Sequence, residues 1–137
     1  MILQHEVRYA HLAEQQFDPN IPPRHTIDLL VDNFFKQGNL SYPILHRGIF
    51  ERSLDTEMDD PRFVAIVLLV CACGSRFTNT DPGSQSSVGW HFFEQVEPFL
   101  RVPTPQNPRL YDIQIYLVSL RFILSFELRS HCAVSYR

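Results

Sequence analysis

The sequence predicts an all-α domain, an irregular assembly of about five or six helices with little or no sheet. Three observations predict it. Apolar residues recur at helical spacing in three separate stretches, around 26–37, 88–100 and 110–128. A nearly unbroken apolar run, Phe63 to Cys73, suits a buried helix and falls far short of the ~20 residues a membrane span needs. No alternating segments joined by a tight-turn dipeptide suggest a hairpin, and no internal repeat is present.

Residues 1–24 read as a polar lead-in or linker. A short helix is expected from Leu3 to Gln16, ending at the proline-rich stretch from Asp18 to Pro23, which no helix crosses without losing backbone hydrogen bonds. In 26–37, Ile27, Leu30, Val31, Phe34 and Phe35 fall on one face, with Thr26 as the expected cap, Asp28 in the first turn and Gly38-Asn39 as the stop. Leu40 to Ile49 is a short apolar connector interrupted by Pro43, leading into a helix from Ile49 to Leu54. An acidic loop is expected from Asp55 to Asp60.

Asp60 is a good N-cap and Pro61 a good first residue for the core helix. Its apolar residues cover every face, so other helices are expected around it. The segment from Thr78 to Ser87 has loop composition. A helix from about Val88 to Leu100 is expected to use the stripe Trp90, Phe93, Val96, Glu97 and Leu100, flanked by Phe92 and Phe99. Pro103, Pro105 and Pro108 make a stiff connector to a last helix, which starts near Leu110 and carries Ile113, Leu117, Leu120, Leu124 and Leu128. Phe34, Phe35, Leu45, Phe63, Leu69 and Trp90 are the expected core.

Composition narrows the function. The 137 residues suffice for one domain or a piece of one, and the net charge of -3, with Lys36 the only lysine, argues against a surface that grips phosphates. The N-terminus has neither the basic start nor the apolar core of a signal peptide. Three cysteines, Cys71, Cys73 and Cys132, suggest free thiols in a reducing compartment.

Enzyme chemistry finds no foothold. Two residues apart on a helix, Cys71 and Cys73 point to opposite sides and cannot share a metal ion. The six histidines show no i, i+4 pair, and the spacing of His91, Glu94 and Glu97 is better read as a solvated helix face. There is no nucleophile elbow, no Cys-x-x-Cys and no phosphate-cradling glycine cluster. Arg47, Arg52, Arg62 and Arg76 are spread along the chain without a sign of convergence.

One resemblance does emerge. Asp28 to Phe35 followed by Tyr42-Pro43-Ile44-Leu45-His46-Arg47-Gly48-Ile49-Phe50 resembles the opening of the fungal-specific transcription factor domain, the middle homology region of fungal zinc-cluster transcription factors of the xylanolytic-activator type. Gly48 and Ile49 stand where that family usually has Pro-Thr. Val67 to Thr78, with Gly74-Ser75-Arg76-Phe77, is similar to its buried helix. Gly89-Trp90 with Phe92-Phe93 resembles the next helix, and Leu110-Tyr111-Asp112-Ile113-Gln114-Ile115-Tyr116 the one after. The resemblance covers about residues 25–118 of a domain placed at 25–137. Residues 119–137 diverge, and the domain is expected to be incomplete at its C-terminus.

The resemblance implies a nuclear regulatory domain that works through protein partners of the transcription machinery, through self-association or through a small-molecule effector. It implies no catalytic residues, no cofactor in this chain and no membrane. Zinc and DNA are expected only of an N-terminal six-cysteine cluster, absent here. The motif residues Pro43, Leu45, His46, Arg47, Phe50, Gly74, Arg76, Phe77, Trp90, Tyr111, Asp112 and Gln114 are the candidates for structural or effector contacts. His46 and Arg47 are expected to clamp backbone carbonyls or the Asp28 and Asp32 carboxylates. A truncated helical domain would expose an apolar face and self-associate. The alternative reading is a stand-alone helical interaction module or a non-functional fragment; an enzyme built around Trp90 and His91 ranks third.

Overall fold

The computed structural model describes residues 15, 17–38, 44–76, 89–101 and 109–135, with side chains as far as Leu124. Among the described residues there are six α-helices and no strand: α1 Arg24–Asn33, α2 Arg47–Thr56, α3 Pro61–Ser75, α4 Trp90–Gln95, α5 Glu97–Leu100 and α6 Leu110–Ser135. No described helix is long and apolar enough to cross a membrane. The helix expected from Leu3 to Gln16 and the loop from Thr78 to Ser87 lie outside the described residues.

The centre is α3. Asp60 caps it, its carboxylate accepting the Arg62 N–H at 3.0 Å, and Pro61 opens it. From Phe63 to Arg76 every residue is buried, because α1, α4 and α6 all pack against this one helix.

Helix α1 starts two residues before the expected cap. The Pro23 carbonyl accepts the Thr26 and Ile27 N–H groups, each at 3.0 Å, so Thr26 is inside the first turn and caps nothing. Asp28 then falls beyond that turn and pairs with Arg24 at 3.0 Å instead. The expected apolar face is buried as a set. The end of the helix widens into a π turn, Phe34–Gly38. With fewer degrees of rotation per residue, both adjacent phenylalanines can face inward, where their rings meet edge to face at 5.1 Å.

Two further expectations are corrected. The single helix from Val88 to Leu100 is two, broken at Val96. Pro98 has no N–H to give, and its ring conflicts with the carbonyl four residues back. Its buried side chains are Phe92, Val96 and Phe99, while Trp90 is 37% exposed rather than core. The last helix begins where expected but is turned the other way. Ile115, Val118, Ser119 and Phe122 are buried, whereas Ile113, Leu117, Leu120 and Leu124 face solvent. Phe122 decides the rotation: it packs between Trp90 and Phe93, at 5.6 and 5.1 Å, in a three-ring cluster that no leucine would make as well.

Close approach of the helices depends on two glycines. A Cβ on Gly74 would lie 2.1 Å from the Leu30 carbonyl oxygen, so α1 crosses α3 directly over a bare backbone. Gly89, at φ +93°, precedes α4, and a Cβ there would meet the Ala72 carbonyl at 2.6 Å and Phe122 at 2.9 Å. Upstream of α1, Phe17 is buried against Phe99, ring centroids 4.9 Å apart, and the Asn20 N–H donates to Gln95 at 2.6 Å.

Candidate functional site

Helices α1 and α2 run antiparallel and are tied at both ends. Arg24, at the start of α1, reaches Asp55 near the end of α2 at 3.0 Å. Arg47, at the start of α2, reaches Asp32 near the end of α1 at 2.7 Å, and also Glu51 at 2.9 Å. Asp32 is further bonded by Lys36 at 2.9 Å. Lys36, then Arg47, holds its carboxyl below the ordinary carboxylate value, while the carboxylates raise both arginines. These pairs are solvent-exposed and screened, so they set the pairing of the helices more than they add to stability. The Arg47 guanidinium also lies 5.7 Å from the centroid of the Phe35 ring.

His46 does something the sequence did not suggest. It bonds neither a carbonyl nor Asp28 or Asp32. Its Nδ1 accepts the Ile49 N–H at 3.2 Å, making it the N-cap of α2. That cap starts α2 at Arg47 rather than Ile49, and the helix runs on to Thr56, shortening the acidic loop to residues 57–60.

A row of aromatic rings crosses the domain behind this hairpin. Phe35, Phe50, Phe63 and Tyr111 follow one another at 5.7, 5.5 and 5.7 Å, linking the π turn, α2, α3 and α6. Next to it, Arg62 of α3 donates to Asp112 of α6 at 2.9 Å, with side chains only 11% and 15% exposed. The second Asp112 oxygen accepts the Arg109 N–H at 2.8 Å, so this one carboxylate both caps α6 and fixes it to α3.

Between α2 and α6, above α3, lies a cavity of about 340 Å³, within the range of small-molecule sites. Buried Leu45, Phe50, Phe63 and Ile66 form its floor. Ile44, Ile49, Leu110 and Tyr111 add apolar walls, and His46, Ser53, Glu57 and Gln114 are its polar members. Five of the twelve motif residues therefore meet here: Leu45, His46, Phe50, Tyr111 and Gln114. Arg47 and Asp112 lie in the ion pairs beside it, Gly74 in the crossing of α1 and α3, Arg76 buried at the end of α3, and Trp90 in the ring cluster on α6. Pro43 and Phe77 lie outside the described residues.

Glu57, Ser53 and Ile66 had escaped notice. The signal was present: His46, Ile49, Phe50, Ser53 and Glu57 recur at i, i+3, i+4, i+7 and i+11, one face of a helix extended by its cap. The other groups singled out in the sequence form no second site among the described residues. Burial pushes the Cys71 and Cys73 thiols up to about 12, so neither is a nucleophile near neutral pH. His91, Glu94 and Glu97 are exposed, and Arg47, Arg52, Arg62 and Arg76 do not converge: Arg52 turns back to the Gly48 carbonyl at 3.3 Å. Among the described residues, no group of three His, Cys, Asp or Glu side chains could hold a metal ion.

Comparison with known proteins finds similarity in one direction. An alignment of 54 positions, covering 36% of this chain, is 39% identical to pyrimidine pathway regulatory protein 1 of Saccharomyces cerevisiae. It covers 6% of the yeast protein's length. No family model and no solved structure matches the chain.

Proposed function

We propose that this chain is a regulatory domain of a fungal DNA-binding transcription factor, acting in the nucleus through protein contacts and a small-molecule effector, with no catalytic step. The similarity to a yeast regulatory protein carries the reading, and the residues that resemble the fungal-specific transcription factor domain support it. In this reading DNA recognition and zinc belong to a separate zinc-cluster module. The described residues here do not fit a zinc cluster, and no step is assigned to that metal. The cavity between α2 and α6 is the effector site.

The test is a reporter assay in yeast. The whole chain is fused to an unrelated DNA-binding module and compared with that module alone, and separately to a strong activator. A several-fold change in output in either format is expected. Unchanged output in both, with the fusion present at normal levels, refutes the reading.

A second reading, an interaction module that binds another copy of itself, draws on α6. Its solvent-facing Leu110, Ile113, Leu117, Leu120 and Leu124 follow the 3-4-3-4 spacing of a coiled-coil seam and include no charge. Together with Ile123 they expose roughly 500 Å² of apolar surface, at the upper end of what monomers tolerate. Pairing two copies would bury about 1,000 Å², the lower bound of a specific interface. Sedimentation at tens of micromolar is expected to show a dimer that Leu117→Glu with Leu120→Glu returns to monomer. A wild-type chain that sediments as a monomer and binds no hydrophobic dye rules this out.

A further inference from the structure

The polar members of the cavity wall carry more information than its size. Among the described residues, the Glu57 carboxylate has no hydrogen-bond or ion-pair partner, and neither the Gln114 amide nor the Tyr111 hydroxyl has a hydrogen bond. Six other carboxylates are paired, whereas Asp59 and Asp60 beside Glu57, like Asp18 and Glu94, hold no cation among the described residues. Asp28, Asp32, Asp55, Glu51, Glu97 and Asp112 each hold an arginine or lysine. Among the described residues, no arginine or lysine lines the cavity. A partly buried carboxylate beside an apolar floor, with no arginine or lysine bonded to it, leaves a negative site open to a cation. The rings of Phe50, Phe63 and Tyr111 add π-faces, which also favour positive charge.

We propose that the cavity between α2 and α6 binds a small hydrophobic amine, its apolar body on Leu45, Phe50, Phe63 and Ile66 and its ammonium on Glu57. Gln114 and Tyr111 offer hydrogen bonds to a second polar group on the same ligand. An anion of equal size is disfavoured, since it would meet Glu57 with no arginine or lysine among the described lining residues to offset the repulsion. The proposal names the ligand class for the effector in the reading above and rests on that reading for its biological role, though not for its chemistry.

Three probes of matched shape separate the contributions: benzylamine, benzyl alcohol and phenylacetate. Each is titrated into the isotope-labelled whole chain and followed by two-dimensional NMR. Benzylamine is expected to shift the resonances of His46, Ser53, Glu57 and Gln114 and to bind roughly tenfold more tightly than phenylacetate, with benzyl alcohol between them. Glu57→Gln is expected to weaken benzylamine about fivefold while leaving benzyl alcohol and the melting temperature unchanged. Glu57 is partly exposed and its carboxylate bonds no described side chain, so this variant folds. Equal affinity for benzylamine and phenylacetate, equal benzylamine affinity in Glu57→Gln, or no shift with any probe overturns the proposal. Because binding is measured on the purified chain, any of these results leaves the reporter assay to judge transcriptional regulation separately.

Discussion

Replacing Gly74 with alanine sets two effects of opposite sign against each other at a single methyl group. In a helix interior alanine is favoured over glycine by about 1 kcal/mol, which is the upper bound in the last turn of α3, where Gly74 lies. At this site, though, the new carbon would lie 2.1 Å from the Leu30 carbonyl oxygen and 2.9 Å from its carbon. Both are backbone atoms, with no rotamer to turn aside. Restoring an ordinary contact of about 3.4 Å moves α1 away by roughly 1.3 Å, enough to forfeit a quarter or more of the dispersion well at each touching pair. Ile27, Leu30, Val31 and Phe34 are buried on that helix. Together they contribute roughly 6–12 kcal/mol, so a quarter lost is about 1.5–3 kcal/mol. Residual overpacking adds about 1 kcal/mol. After the gain in propensity, Gly74→Ala is expected to destabilise by about 2 kcal/mol, a drop in melting temperature of about 8 °C for a chain of this size. Thermal unfolding followed by circular dichroism at 222 nm, a wavelength diagnostic of helix, measures it. Gly48→Ala is the control: there a Cβ meets only the edge of a side chain, the His46 ring at 3.3 Å, which needs to give by a few tenths of an ångström at most, and the change should stay within about 0.5 kcal/mol. A Gly74→Ala protein that melts at or above the wild-type temperature would show that propensity wins and that α1 does not cross α3 on this glycine.

Two other predictions concern the cap of α2 and the buried thiols. His46→Ala removes the acceptor for the Ile49 N–H and should cost about 1 kcal/mol in urea unfolding, whereas His46→Ser, which can cap, should cost less than half of that; equal losses would mean the ring acts through packing. Cys71 and Cys73 are held neutral up to about 12. The unfolded chain releases these protons near the ordinary thiol value, so their share of stability is intact below pH ~8.5 and declines between there and about 12, by at most about 1.4 kcal/mol per pH unit for each thiol. In a Cys132→Ser background, both thiols should resist a disulfide-exchange reagent at pH 8 until urea unfolds the chain. Rapid labelling of the native protein would contradict their burial.

How much of this was legible depended on whether one physical signal dominated. The core helix was unambiguous: capping by Asp60, the opening Pro61 and an all-round apolar sequence agree, and each feature appears in place. The buried face of α1 was equally clear, because a single stripe competes with charged neighbours. Helix α6 was not. Between Leu110 and Leu124 it carries two apolar stripes, one of leucines and one of Ile115, Val118 and Phe122. Periodicity identifies both but cannot choose between them. The choice is made by Phe122 fitting against Gly89, Trp90 and Phe93, contacts between segments more than twenty residues apart. The caps failed in a similar way. Thr26 was the better capping residue on propensity, but Pro23 already held the N–H groups; histidine is a poor prior for a cap, yet His46 is one.

The same distinction separates the motif residues that packing explains from those it does not. Gly74 is accounted for by a helix crossing, Arg47 by Asp32, Asp112 by Arg62 and the start of α6, and Leu45 and Phe50 by burial. Glu57 and Gln114 gain nothing from the fold that surrounds them. An unpartnered carboxylate or amide beside an apolar floor costs desolvation without a compensating bond. If these two residues serve only the fold, apolar replacements should be harmless or better in every respect. If they serve a ligand, stability and binding should move in opposite directions. Glu57→Leu and Gln114→Leu are each expected to raise stability by about 0.5–1 kcal/mol, a few degrees in melting temperature, because an apolar side chain there covers the exposed walls Ile49 and Leu110 from water. Glu57→Leu should also abolish the benzylamine response, and Gln114→Leu should weaken an aromatic amine that carries a second polar group, such as tyramine. Destabilisation by both would place Glu57 and Gln114 in the framework of the domain and remove them from its site.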